Sequence, residues 1–553
     1  MSEPAAHPTP ASKRDPSAPS SGGGLRAWLA RVVGDVFGLD TRSLAVARIG
    51  LGVLCVLDVL VRFTDLSFFL TDVGALPRVA VIDELARSEH VSLYMAAGSP
   101  LWVGALLTVQ ALAAAAFAVG FRTRLANLVL WVLVVSLHVR GGILLQSGDV
   151  VMRLLLFWSL FLPMGARLSL DHLRSRPTRP APVQVLGLAS AGFMVQLAVV
   201  YIFTAYLKSG RVWSNGEAVY YALKIDHFAK QPFADLLLGQ PWLLEILTPA
   251  TWFWEILGPY LLLMPFLRGP VRTFVVSAFV FMHLGFFFGL EIGLFPWICI
   301  AAWLALLPGW LWDRLGWRVS DPGLHLLGAP RRPRPSGWRR GAPVLVHNLV
   351  AGFFLALVIN WNLSTVGGAR YAVPALPRAV GHTLRLDQKW NMFAPYPLKD
   401  DGWYAMPGQL SDGRWVDLWR GGEPQWATEA ERASWPDAER PTPGGLPDGS
   451  EQWLSREKPA VVSSMYANQR WRKYMRNLWL KRYKDMRVYY GKAVCRAHNG
   501  ATRGGDRLRT FEIWYMKEDT GPPSEGERPV VPVRIWTHHC YKTDVPSRTE
   551  REP

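Results

Sequence analysis

The residues of this chain that could move a proton are few, and they stand at the ends of apolar runs. Lys208 closes the run leading into YIFTAYLKSGRVWSNGEAVYYAL, with Trp213, Tyr220 and Tyr221 just beyond it. A lysine at such an edge has two readings. It snorkels its ammonium to water and serves as an anchor, or apolar surroundings disfavour its charge and it acts as a neutral amine base. His283 sits inside another run, HLGFFFGLEIGLFPW, as a hydrogen-bonded core histidine or as part of a site. His138 ends a third run, and Asp149 and Arg153 stand four residues apart at the entrance of a fourth. That spacing shares one helix face, so a buried ion pair competes with a ligand-binding role. Asp58 and Arg62 repeat the spacing in the first run.

These residues need apolar elements to hold them, and composition supplies those elements. The chain has 553 residues, half of them hydrophobic, with 26 Trp and only 19% charged. Several runs approach bilayer length, about 20 residues, so the fold expected is an all-α polytopic membrane bundle followed by a soluble α+β domain. Nine spans are expected, at Leu44–Phe63, Leu101–Val119, Leu125–His138, Val150–Met164, Val183–Tyr206, Pro241–Phe266, Thr273–Leu290, Gly293–Trp312 and Pro343–Trp361. Residues 1–40, rich in Pro, Ser, Ala and Gly, read as a disordered tail. The division is then a membrane domain at 41–315, a basic linker at 316–342, a final span at 343–361 and a soluble domain at 362–553.

Charge orients the bundle. Net charge is +17, but the arginines sit between apolar runs, which makes them a topology signal and excludes nucleic acid as a partner. The tail, FRTR, the 172–179 link, RGPVR and the 314–340 link are every second connection. The N-terminus is therefore expected to be cytoplasmic and the C-terminal domain extracytoplasmic. That topology gathers His138, Asp149, Arg153, Lys208 and Glu291 near the outer face, with Asp72 and Tyr94 in the first outer loop and His283 in the outer half of its span. Apolar walls with a few polar groups are the usual shape of a ligand site. His138, Asp149, Arg153, Trp213 and Tyr220 are the expected cofactor-binding residues, and Lys208 and His283 the expected catalytic ones.

In the soluble domain, QLSDGRWVDLW reads as a hairpin about Asp412-Gly413. Tyr466–Lys484 has helical spacing, a second helix stops at His498-Asn499-Gly500, and FEIWYMKE and VPVRIWTHHC read as strands. Pro424–Ser450 reads as an irregular loop. Cys495 and Cys540 could bridge on an oxidising side of the membrane, or Cys540 could ligate a metal with His538 and His539. Neither belongs to a CxxC pair.

RIGLGVLCVLDVLVRFTDLSFFLTDVGALPR, GFRTR, SLHVRGGILLQSGDVVMRLLLFWSLFLPMGARLSLD and YLKSGRVWSNGEAVYYAL together resemble the bacterial HTTM (horizontally transferred transmembrane domain) family. That family is similar to the membrane part of vitamin K-dependent gamma-glutamyl carboxylase. The resemblance covers about Leu44–Trp312 and implies a multi-pass protein of the bacterial inner membrane. YIFTAYLKSGRVW is similar to the carboxylase segment that holds its basic lysine, which falls on Lys208; the carboxylase has two adjacent lysines where this chain has Leu207 and Lys208. The match of HLGFFFGLEIGLFPW places the carboxylase histidine on His283. The resemblance implies vitamin K hydroquinone or another quinol as cofactor and no metal. It also implies membrane lipid, a quinone and a protein substrate as partners. In that chemistry the lysine deprotonates the quinol, oxygen converts it to a strong base, a substrate glutamate loses a proton and carbon dioxide adds. The soluble domain does not resemble the carboxylase's luminal region; LDQKWNMFAPYP and RWRKYMRNL resemble the extension of other HTTM proteins. The competing function is a non-catalytic protein that binds a quinone, lipid or protein partner in the same place. A transporter is disfavoured by the lack of an internal repeat.

Overall fold

The computed structural model describes residues 24–85, 90–175, 183–317, 324–326, 342–435, 453–525 and 528–541. Its longer helices are α1 (Gly24–Phe37), α2 (Thr41–Thr64), α3 (Pro100–Val119), α4 (Thr123–Arg140), α5 (Ser147–Ser159), α6 (Leu188–Leu207), α7 (Pro241–Leu262), α8 (Arg268–Gly289), α9 (Phe295–Leu304), α10 (Ala342–Gly367), α11 (Gln469–Trp479) and α12 (Met486–Ala501). Six of them, α2, α3, α4, α6, α8 and α10, are long and apolar enough to cross a membrane. The protein is a membrane protein on that ground.

The other three expected spans take different forms. The fourth is the 13-residue α5, and the chain then turns through Pro163. The eighth is the 10-residue α9, stopped before Pro308 and Gly309, which begin a separate short helix. The sixth is the full-length α7, which carries Pro249 and Pro259 inside it. Length and composition alone therefore support six of the nine expected spans among the described residues.

Local chemistry sets the helix ends. Asp40 caps α2 by accepting from the Arg42 N–H at 2.8 Å. Ser99 caps α3, Pro100 occupies its first turn, and Gly120 ends it with φ of 70°. α2 and α3 pack tightly because Gly52 faces Ala118; a Cβ there would lie 2.6 Å from the alanine methyl. Residues 24–37, expected as part of the tail, form α1. Val32 and Val36 are four apart on one helix face, and Val36 is buried. Residues 1–23 of the expected tail lie outside the described residues, as does most of the 316–342 linker.

Strands β1 (Leu39–Asp40), β2 (Gln184–Leu186) and β3 (Leu324–Leu326) form a small sheet of their own, and the C-terminal region is built on strand β7 (Leu508–Asp519), which fits the expected α+β class. β4 (Asp400–Ala405) and β5 (Pro407–Leu410) pair along successive parts of one edge of β7, and β8 (Val531–His539) pairs along the other, all antiparallel. β5 and β6 (Trp415–Asp417) form the expected hairpin, with Gly413 at φ of 92°. Cys495 on α12 and Cys540 after β8 form a disulfide with Cα atoms 5.4 Å apart, so the metal reading of Cys540 falls. The described part of Pro424–Ser450 includes a short helix, Glu429–Ala433.

The C-terminal region is not tethered loosely to the bundle. One apolar cluster contains Val59, Phe69, Tyr94 and Leu107 from the membrane part and Tyr404, Tyr474, Tyr490 and Ile513 from the C-terminal part. Trp471 packs against Phe68 and Phe69, with ring centroids 4.6 and 4.7 Å away. α11 lies across the mouth of the bundle.

Candidate functional site

α6 ends at Leu207, and Lys208 is its C-cap. The Lys208 ammonium turns inward rather than toward solvent. It is 6% exposed, donates to Glu255 Oε2 of α7 at 2.6 Å and lies 4.1 Å from the Trp213 ring centroid. One proton moving along the Lys208–Glu255 bond interconverts an ion pair and a neutral amine–acid pair. Trp213 Nε1 donates to the Phe393 carbonyl at 3.1 Å, so the lysine is backed by the 391–398 segment. Tyr220 stacks edge-on against Tyr221, 5.4 Å away, in the same aromatic group.

His283 lies deeper. Its Nε2 is 2.7 Å from the Tyr201 hydroxyl, which accepts from Trp303 Nε1 at 2.8 Å. Tyr201 is on α6, two turns before Lys208, so one helix carries a member of each group. Lys208 and His283 are thus served by adjoining parts of α6, α7 and α8, without direct contact to each other.

The remaining expected site residues divide. Asp149 is committed to an ionic cluster: Arg470 donates to both its oxygens at 2.6 Å, and Gln146 N–H donates to Oδ2 at 2.7 Å. Arg470 also donates to Asp58 at 2.6 Å, Arg62 pairs with Asp58 at 2.8 Å, and Arg62 reaches Asp149 at 3.3 Å. Two carboxylates thus face two guanidiniums in a buried, charge-balanced group. His138 Nε2 stands 3.8 Å from Asp149, and neither of its ring nitrogens has a hydrogen-bond partner. Arg153 does not pair with Asp149; it donates to the Arg385 and Asp387 carbonyls at 2.6 Å and reaches the Asp387 carboxylate at 3.4 Å.

A cavity of about 530 Å³ lies where the C-terminal region meets the bundle. Gln146 and Gly148 at the start of α5, Phe295 at the start of α9, His227, Phe393 and Arg472 stand in its wall. Lys208 and His283 do not line it. His283 stands one residue behind, at Phe295, 5.7 Å between ring centroids, and Lys208 two, behind Trp213 and then Phe393. His227 Nδ1 is 2.8 Å from Asp401 Oδ1, and Asp401 also accepts from the backbone N–H groups of Asp226 and Gly402. Burial and then the neighbouring arginines keep the His227 imidazole below its ordinary pKa, against the pull of Asp401. The result is a neutral histidine oriented by a carboxylate, with Nε2 buried and unpartnered.

Among the described residues one group has metal-ligand types, His90, His382 and Asp387, with one ligand atom each within 4.8 Å of the others. Arg153 and Arg385 stand 3.4 and 3.3 Å from Asp387, and Arg385 approaches His90 at 3.3 Å. Two guanidiniums around the single carboxylate oppose a further cation there.

Sequence reasoning passed over Glu255, Tyr201, His227, Asp401 and Arg470. Glu255 carried a readable signal, an acid inside a long apolar run. The others gain meaning only from partners remote in sequence. The HTTM domain family matches residues 38–310, which takes in Lys208, Glu255 and His283. No curated protein and no solved structure matches the chain.

Proposed function

The chain is an HTTM-domain membrane protein, and we propose that it carries out quinol-dependent, carboxylase-like proton chemistry with Lys208 as the base. The observation that carries this reading is the buried Lys208–Glu255 pair at 2.6 Å, set among Trp213 and Trp252 at the end of α6. The residues suit a quinol. The aromatic rings offer faces to a planar ring, and the amine–carboxylate pair offers a proton acceptor beside it. Phe253, Leu257 and Tyr260 of α7 are large, mostly apolar and exposed, as access from a bilayer requires. In this reading Lys208 Nζ, left neutral while Glu255 holds the proton they share, takes the phenolic proton, and Tyr201 with His283 continues the polar path. A bound quinol would supply the reducing chemistry. The site faces the outer side of a bacterial inner membrane.

A second reading is favoured by the same contact. A lysine already partnered by Glu255 can be a structural ion pair, and the protein then binds a quinone, lipid or partner without catalysis. Oxygen uptake by the purified protein with vitamin K hydroquinone separates the two. Lys208→Ala and Lys208→Arg should both abolish quinol-dependent uptake, because guanidinium stays protonated at any usable pH. Full activity in Lys208→Arg would leave Lys208 as a positive charge only. No uptake by the unaltered protein would leave the binding reading.

A further inference from the structure

The cavity between bundle and C-terminal region has an unbalanced wall. We propose that it binds an anionic amphiphile, a phosphate or carboxylate head on an apolar body, with the head held by Arg472, Lys473 and Arg476. This goes beyond the quinol reading and does not depend on it, since neither Lys208 nor His283 lines the cavity.

Three cations of α11 stand in the wall, and no aspartate or glutamate does. Arg476 has a carboxylate behind it, Asp400, at 2.9 and 3.2 Å. Arg472 donates to the His227 carbonyl at 3.2 Å and lies 4.6 Å from the Phe228 ring centroid; Glu291 acts on it only from a distance. Lys473 makes no hydrogen bond or ion pair among the described residues, and burial, then Arg476 and Arg472, lowers its pKa. Three residues earlier on the same helix, Arg470 is met by two carboxylates. Arg470 thus meets two carboxylates and Arg476 one, whereas Arg472 and Lys473 in the cavity wall pair with none among the described residues. Partly buried, like-charged groups cost free energy that an anion recovers.

The rest of the wall sets the body of the ligand. Phe228, Phe295, Met392, Phe393 and Leu480 present apolar surface. The volume, about 530 Å³, suits a bound organic molecule rather than a bare ion. The cavity lies at the start of α5 and just beyond the end of α8, where the apolar helices stop and an interfacial head group would sit.

The test uses the full-length protein, delipidated in detergent, with four probes: phosphatidylglycerol, phosphatidylcholine, oleate and inorganic phosphate. Binding is read by native mass spectrometry and by the thermal midpoint. Phosphatidylglycerol and oleate should bind and raise the midpoint, phosphatidylcholine should not, and Lys473→Gln should weaken binding about tenfold, the loss of one charge-assisted contact. Binding by inorganic phosphate alone, without phosphatidylglycerol or oleate, would identify a free phosphate site and overturn the amphiphile. Because Lys473 has no partner to lose, Lys473→Met should raise the midpoint of the unliganded protein, which also controls for misfolding. Equal binding of phosphatidylglycerol and phosphatidylcholine, or of phosphatidylglycerol to the unaltered and Lys473→Gln proteins, overturns the inference. So does an absence of binding by all four probes. None of these outcomes bears on quinol-dependent oxygen uptake.

Discussion

Arg470 of the C-terminal region donates to both carboxylate oxygens of Asp149 at the entrance of α5, each at 2.6 Å. The two residues are 321 positions apart in the chain. This bidentate contact, extended to Asp58, locks α11 into the mouth of the bundle and fixes the floor against which the cavity is formed.

Arg470→Met should therefore be strongly destabilising. It leaves Asp58 and Asp149 facing only Arg62, and removing one partner from a buried ionic group typically costs about 3–5 kcal/mol. Arg470→Lys should recover only part, because a single ammonium cannot reproduce a planar fork that reaches three oxygens. Thermal unfolding in detergent, with limited proteolysis between α10 and α11, reads both. A midpoint unchanged in Arg470→Met would mean that the apolar contacts of Trp471 and Tyr474 hold the two parts together by themselves.

The contrast between two acid–arginine spacings shows what the sequence could and could not say. Asp58 and Arg62 are four apart and do pair, at 2.8 Å. Asp149 and Arg153 are also four apart and do not; Asp149 faces Arg470 and Arg153 faces Asp387. Spacing fixes a shared helix face, but the partner depends on what the rest of the chain brings to that face. Apolar runs, turn residues and strand alternation were legible because they are local. The run ending at Lys208, the Asp412–Gly413 hairpin and the β7 and β8 strands were read from them. Short α5 and α9 were misjudged in length because a Pro-interrupted apolar run looks continuous to hydropathy alone. Glu255 beside Lys208, and the cavity between Gln146, His227, Phe393 and Arg472, join segments that no local pattern connects.

The Cys495–Cys540 disulfide ties the topology to a chemical test. Disulfides persist on the oxidising side of a membrane, and the orientation expected from the basic links, which requires an odd number of spans, would put the C-terminal region there. In intact cells neither cysteine should react with a maleimide until a reductant is added. After denaturation the chain should accept two labels without reductant, on Cys55 and Cys299, and four with it. Cys540→Ala should destabilise the C-terminal region by about 4 kcal/mol in the chain-entropy picture for a separation of 45 residues. Four labels without reductant, or a C-terminal reporter active only in the cytoplasm, would reverse the orientation and the outward-facing site with it.

Asp226 gives the protein a predictable pH response. Burial, and then the neighbouring Asp401 carboxylate, push its pKa from 3.8 up to about 7, against the opposing pull of Lys458; Glu518 adds to the rise. Lys458 contacts both Asp226 and Glu518, and Asp401 is held ionised by His227 and two backbone donors. The folded state therefore keeps a proton on Asp226 that the unfolded chain releases at lower pH. Stability from this group is fully present below its ordinary pKa and is lost as pH rises through about 7. The thermal midpoint of the intact protein should fall between about pH 5 and about pH 8, and Asp226→Asn, which is neutral throughout, should flatten that fall. Other titrating groups contribute to both proteins and cancel in the comparison. Parallel curves for the two would show that Lys458 keeps Asp226 ionised across the range, and that the Asp226–Asp401 contact is offset at every pH by that single ammonium.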